Sequence, residues 1–276
     1  MKISVMLFPY HGVFASGACA PQKLVECFAA CGVRALEPMK GFAQENPDAW
    51  EALDEAAKAA GMSYSCYDVG LNLVVTDKEA RQQVLKTVQE DIRYASDVLH
   101  CPNLMLCGSR QAQGMSIPEG RRIYGQMLGE CAELAEGTGT RICIENFGVY
   151  KDFAAASDAC MEVLAIAGDK VGFVFDNGNF LYGGDSPTKA FDRCRGRICH
   201  VHVKDIRRNR DGETGGLQDI HGNCLRGSWL GQGIAEVREC LALLKGSGYD
   251  GWLSEENNSS LLEEAAYGLG FMQGAY

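Results

Sequence analysis

Hydrophobic and polar positions along this chain fall into two alternating regimes. Short runs dense in β-branched and other apolar residues recur, each followed by a longer stretch in which apolar residues repeat at helical spacing. The short runs Ile3–Phe8, Val33–Glu37, Ser63–Tyr67, Leu104–Cys107, Arg141–Glu145, Val171–Asp176, Ile198–Lys204 and Trp252–Glu256 read as strands. Between them the pattern predicts helices over Pro21–Cys31, Asp48–Ala60, Ala154–Ala167 and Ala235–Lys245, with further helices opening after Ser116 and at Ser186-Pro187. Thr76–Glu79 has the form of a capping box for a long helix ending near Leu99, and Ser260 with Glu263 forms another before the last helix.

Eight β-then-α units with no hairpin signal imply an all-parallel sheet, and 276 residues match the length such a sheet needs to close on itself. The expected fold is therefore an α/β protein, a (β/α)8 TIM barrel, as one domain over residues 1–276. A doubly wound open sheet is the alternative, but no Gly-x-Gly-x-x-Gly follows the first strand. Asp211 to Gly233 is the longest connection, and either a substrate-covering loop or a plain surface excursion fits it.

Net charge is −10 with a pI near 5.0, which disfavours nucleic acid as a partner. The apolar run before Pro9 is too short for a signal peptide, and no run approaches a membrane span. Thirteen cysteines without an export signal suit a reducing compartment, so the expected location is cytoplasmic and the thiols are expected to pack as small apolar groups.

The chemistry is suggested by what ends the strands. Ile144-Glu145, Phe175-Asp176, Val201-His202 and Glu255-Glu256 place a metal-ligating residue type at the C-terminal end of four consecutive strands, the end where barrel active sites are built. Glu37 ends the second strand in the same way. One such acid is commonplace as a helix cap, but several converging carboxylates repel one another unless a cation neutralises them. Three carboxylates and one imidazole form a hard donor set suited to one divalent ion, Mn²⁺ or Mg²⁺ first, with Co²⁺ or Zn²⁺ also compatible. His200 and His202 share a strand face by period two, with His202 nearer the end and His200 behind it. Glu255 and Glu256 point to opposite faces, so only one can face the axis.

His200-Val-His-Val-Lys-Asp205, Leu230-Gly-Gln-Gly233, Gly248-Tyr-Asp-Gly-Trp-Leu-Ser254 and Phe175-Asp-Asn-Gly-Asn179 resemble the sugar phosphate isomerase/epimerase group of xylose-isomerase-like TIM barrels, within the AP endonuclease family 2 superfamily. The likeness runs from the second strand to the end in matching order. It implies a metal held by Glu145, Asp176, His202 and Glu256, choosing Glu256 over Glu255 because it lies four positions after Trp252. It further implies Glu145 and Glu256 as an acid/base pair acting beside a carbonyl through a cis-enediolate. Glu37, Asn179, Lys204, His200 and Arg207 are the expected substrate-binding residues. The expected partner is a small carbohydrate or keto acid, and a homo-oligomer, dimer or tetramer, is compatible.

The sequence departs from this group at Asn179, where many relatives carry His; an amide can hydrogen-bond a hydroxyl but cannot shuttle protons near neutral pH. Arg207, Arg208 and Arg210 after the seventh strand are candidates to grip a phosphate or carboxylate, and Leu230–Gly233 reads either as a phosphate-binding helix start or as a tight turn. Three rivals remain. An inosose-dehydratase-like lyase shares the metal box. An endonuclease IV-like phosphodiesterase would need a histidine-rich zinc cluster, whereas the third and fourth strands end in Cys66-Tyr67-Asp68 and Cys107-Gly108-Ser109-Arg110. A binding protein without turnover would have no use for all four ligand types.

Overall fold

A computed structural model describes residues 1–276. The strands are β1 (Lys2–Met6), β2 (Ala35–Glu37), β3 (Ser63–Tyr64), β4 (Tyr67–Gly70), β5 (Asn103–Cys107), β6 (Arg141–Glu145), β7 (Gly172–Asp176), β8 (Ile198–Val203), β9 (Asp205–Arg208), β10 (Leu217–Gln218), β11 (Cys224–Ser228) and β12 (Trp252–Glu255). Nine of them form one parallel sheet in the order β3-β2-β1-β12-β8-β7-β6-β5-β4. β3 and β4 are two halves of one strand broken at Ser65-Cys66, β3 pairing with β2 and β4 with β5, so the sheet wraps into the (β/α)8 TIM barrel that the pattern predicts. At the break the Asn103 side chain donates to the Ser65 carbonyl (3.0 Å), which keeps a buried backbone group satisfied where ladder pairing lapses.

The barrel strands are almost wholly buried, and 60 buried apolar residues form the main core between barrel and helices. Inside the ring, Cys66, Met105, Cys107, Cys143 and Val174 form a separate sulfur-rich layer. All thirteen cysteines are free thiols. No helix is long and apolar enough to cross a membrane.

Three expectations change. Hairpins do exist: β9, β11 and β10 form an antiparallel ribbon after β8. The chain enters β10 through Gly215 and Gly216, both at positive φ (84° and 88°), and a Cβ on Gly216 would strike the Leu225 carbonyl. The long helix (Lys78–Arg93) is capped by Asp77, which accepts from Ala80 N at 2.8 Å, rather than by Thr76. The last helix (Leu262–Ala275) is entered through Ser259 and Glu264 instead of Ser260 and Glu263, Glu264 Oε1 accepting from Asn258 N (3.2 Å). Asp77 is a true cap, whereas the last helix has Leu261 at its N-cap position without a side-chain cap, and Ser259 Oγ accepts from the Leu261 N–H. Ser116 caps its helix (Ile117–Leu134) as the sequence suggests, accepting from Glu119 N.

Candidate metal centre

Glu145 ends β6, Asp176 ends β7, His202 lies near the end of β8, and Glu256 follows β12 by one residue. Parallel registry brings these ends level: Ser254 pairs with His202 and Asp176 with His202. One ligand atom from each of the four lies within 4.8 Å of the others. His202 Nδ1 is 2.6 Å from Glu145 Oε1 and 3.6 Å from Glu256 Oε2. Asp176 Oδ2 and Glu256 Oε2 are buried and make no hydrogen bond. Buried carboxylate oxygens without a hydrogen bond, one of them facing the Lys204 ammonium and both converging with an imidazole nitrogen, fit a hard divalent cation.

The surroundings hold these groups in place. His202 presents Nδ1 to the cluster because Nε2 is taken by Glu37 Oε1 at 2.8 Å. The other Glu37 oxygen bonds His200 Nε2 at 2.9 Å. All three side chains are fully buried. Burial pushes Glu37 up, but the two imidazoles outweigh it and hold the carboxyl well below its usual range. Burial opposes charge on His202, yet Glu37 and Glu145 outweigh that and raise its pKa well above the usual value. Glu145 is raised by burial against the opposing pull of His202. This carboxylate–imidazole arrangement fixes both tautomer and ring orientation at a metal ligand.

Asp176 Oδ1 accepts from Gly178 N and Asn179 N (2.8 and 2.9 Å), which points Oδ2 into the cluster. Asn146 clamps the same strand end, exchanging bonds with the Asp176 backbone N–H and C=O. Lys204 Nζ lies 2.6 Å from Glu256 Oε1 and 3.0 Å from Asp176 Oδ2, and its stem passes over Gly178, where a Cβ would collide with it. Burial works against its charge, but Asp176, Glu256 and Glu145 prevail and raise its pKa.

A cavity of about 410 Å³ opens above the cluster. Glu145, Glu256, Asn179 and Lys204 line it; Asp176 and His202 sit beneath. Ile206 and Leu217 of the ribbon form part of its wall, so the long connection covers the cavity as well as protruding from it. Glu37 and His200 do not reach the cavity; they act through His202. Arg207 is drawn away onto Glu213 in a two-pronged ion pair (2.7 and 2.9 Å) and is not in the lining. Arg208 and Arg210 are not in the lining either. In the turn Leu230–Gly233 the glycine amides are already taken, Asp205 Oδ2 accepting from both Gly231 N (2.9 Å) and Gly233 N (2.8 Å), and Gln232 N donates to the Trp229 carbonyl. This tract is a tight turn.

Glu255 points the opposite way from Glu256, as strand alternation requires. It packs against Gly268 of the last helix and receives a hydrogen bond from Asn257 in the amide orientation that also satisfies Tyr10. Burial, with Glu264 nearby, pushes its pKa well up. Among the polar side chains of the lining, Asp68, Tyr182 and Asn258 were not among the expected site residues. Asn258 follows the last strand as Asn179 follows β7, so it was open to discovery by analogy. Asp68 lies on the weak, broken strand, and alternation with Cys66 was its only signal.

A curated inosose dehydratase from Lacticaseibacillus casei is 32% identical over 94 residues, which cover 32% of this chain and 30% of that protein. The chain thus spans less than a third of that relative's length in the match. Another inosose dehydratase, from Geobacillus kaustophilus, is 26% identical over 245 residues, covering 83% of this chain and 77% of the relative. Among solved structures, a D-tagatose 3-epimerase-like protein superposes with a TM-score of 0.74 at 20% identity, over 100% of this chain and 97% of its own, a likeness of fold. The family described as xylose isomerase-like TIM barrel matches residues 25–273, and the chain belongs to that family.

Proposed function

We propose that this chain is a divalent-metal-dependent isomerase or epimerase that moves a proton on a carbon beside the carbonyl of a polyhydroxylated substrate, through a cis-enediolate. One observation carries the reading: of the four clustered ligand residues, the two that line the cavity are the glutamates. Glu145, Asp176, His202 and Glu256 would hold the cation, which supplies positive charge to stabilise the charge that develops on the substrate oxygen. The donor set favours Mn²⁺ or Mg²⁺, with Co²⁺ and Zn²⁺ acceptable.

Glu145 and Glu256 enter from β6 and from the end of β12, on either side of β7 and β8. One takes the proton from carbon; the other returns one to the opposite face or to the neighbouring carbon. Lys204 holds Glu256 in position through its 2.6 Å contact, and Asn179 stands where it can bind a hydroxyl. The ribbon wall at Ile206 and Leu217 excludes water from the deprotonated intermediate.

The two dehydratase relatives favour a second outcome on the same site. There the first proton removal is identical, but the β-hydroxyl then departs with a proton from the second carboxyl, leaving water and an enone. Proton–deuterium exchange in D₂O with Mn²⁺, over a panel of ketoses, cyclic polyol ketones and keto acids, tests both. Exchange beside the carbonyl that falls about 10²- to 10⁴-fold in Glu145→Gln and Glu256→Gln is expected. An epimeric or isomeric product supports the first outcome and net loss of water the second. No exchange with any substrate, in protein with its metal content verified, would overturn the proton-transfer reading.

A further inference from the structure

The cavity holds a carboxyl that the proton-transfer reading does not use. Asp68 lies on β4, on the same face as Cys66, and lines the cavity although its side chain is fully buried. Neither oxygen makes a hydrogen bond; burial and the Glu37 charge work against its ionisation, and only His202 and the Cys66 thiol favour it. An unpartnered buried carboxyl is costly and is retained in a native fold where a ligand completes it.

Its placement narrows the ligand. β4 and β8 stand four strands apart around an eight-strand ring, so Asp68 faces the Lys204 and Glu256 side from across the cavity. Its neighbours in that half of the lining are Met6, Met39, Met105 and Cys107, apolar or weakly polar. The cavity lining contains one cation, Lys204, and that is already engaged by Glu256 and Asp176. A phosphate or carboxylate group entering the Asp68 side would meet an acid, with no arginine in the cavity lining and its one lysine already engaged. A hydroxyl group would find there the acceptor it needs.

We infer that Asp68 is a substrate-binding residue that hydrogen-bonds a hydroxyl at the end of the substrate remote from the clustered ligands, and that the substrate is an unphosphorylated polyhydroxy ketone. This rests on the cavity being the substrate site, as proposed above, but it requires no turnover. A volume of about 410 Å³ suits a single small ring or a short chain with little to spare.

Equilibrium titration of the Mn²⁺-loaded protein reads binding separately from proton transfer. The ligands are an open-chain ketohexose, a cyclic pentahydroxy ketone, the monodeoxy analogues of each, and their phosphate esters. The unphosphorylated ketone is expected to bind at least about tenfold more tightly than its phosphate. One monodeoxy analogue is expected to lose about 10- to 100-fold in affinity. That particular penalty should vanish in Asp68→Ala and shrink in Asp68→Asn, while penalties at the other positions persist; coupling to one hydroxyl separates contact from general damage. If Asp68→Ala does not fold, the reduced penalty in Asp68→Asn decides. Phosphate esters bound as tightly as the free ketones, all deoxy penalties unchanged in the variants, or no binding by any ligand in protein of verified metal content would each overturn the assignment. Loss of deuterium exchange with binding and coupling intact would instead count against the glutamate mechanism alone.

Discussion

The two halves of the barrel mouth are built from the same strands-and-loops plan but filled with opposite chemistry. β6, β7, β8 and the end of β12 bring Glu145, Asp176, His202 and Glu256 together, each held by a second polar group. β1, β4 and β5, with the segment after β2, bring Met6, Asp68, Met105, Cys107 and Met39. The first half is dense with acid and needs imidazole, ammonium and backbone amides to hold it open. The second is soft and carries one acid without partners. Polar density is stable here where each group is both buried and answered.

Breaking the first half should cost most. Asp176→Ala removes a ligand and leaves the Gly178 and Asn179 amides and Lys204 short of a partner; metal titration is expected to show a loss of about 100-fold or more in Mn²⁺ affinity. Glu37→Gln, one step back from the cation, should cost about 10- to 100-fold by the same measurement, since His202 loses its charged orienting partner. An equal loss from a conservative change in the soft half would erase the distinction between the halves.

Acid should act on the polar half too. Burial raises the Glu145 pKa, and Glu37 and Glu145 raise that of His202, both in the direction that makes a cation compete with protons for these ligands. Affinity should therefore rise with pH and fall in acid, by about tenfold per pH unit for each proton displaced, until the raised values are passed. Metal titrations at several pH values, with released protons counted in weak buffer, check the sign. A flat profile would show that the cluster is already deprotonated.

The soft half should tolerate reshaping. Met105→Leu conserves volume and is expected to cost under about 1.5 kcal/mol in chemical denaturation while leaving Mn²⁺ affinity unchanged. Smallest of all should be Arg207→Ala. It breaks a partly exposed fork to Glu213 outside the cavity, and chemical denaturation is expected to show no resolvable change in midpoint, with no change in substrate affinity.

The polar half was readable because its ligand residues lie at the ends of mostly apolar strands, and four in succession leave a visible pattern in Glu145, Asp176, His202 and Glu256. The eight β/α units were readable for the same reason. The soft half was not: Asp68 lies beyond a break in the strand, with no long apolar run to mark its register. Arg207 misled because residue type says nothing of a partner six positions on, and ribbon pairing depends on glycine conformations that hydropathy does not encode. The Leu230–Gly233 tract offered two readings until Asp205 was seen to claim its amides. Helix starts were displaced by one residue where Thr76 stood beside Asp77 and Ser260 beside Ser259, since neighbouring residues of like chemistry compete for the same backbone amides.

Glu255 never meets the cavity, yet it is the residue next to Glu256. Its carboxyl fills the notch that Gly268 leaves in the last helix, so strand and helix are keyed together at that point. A side chain larger than hydrogen at Gly268 would have to push back on the strand, and the next residue along that strand is a candidate proton carrier. The outermost layer of the barrel thereby acts as a gauge for its innermost one, and substitutions on a helix remote from the substrate could retune the spacing of the acid pair without altering any group that touches it.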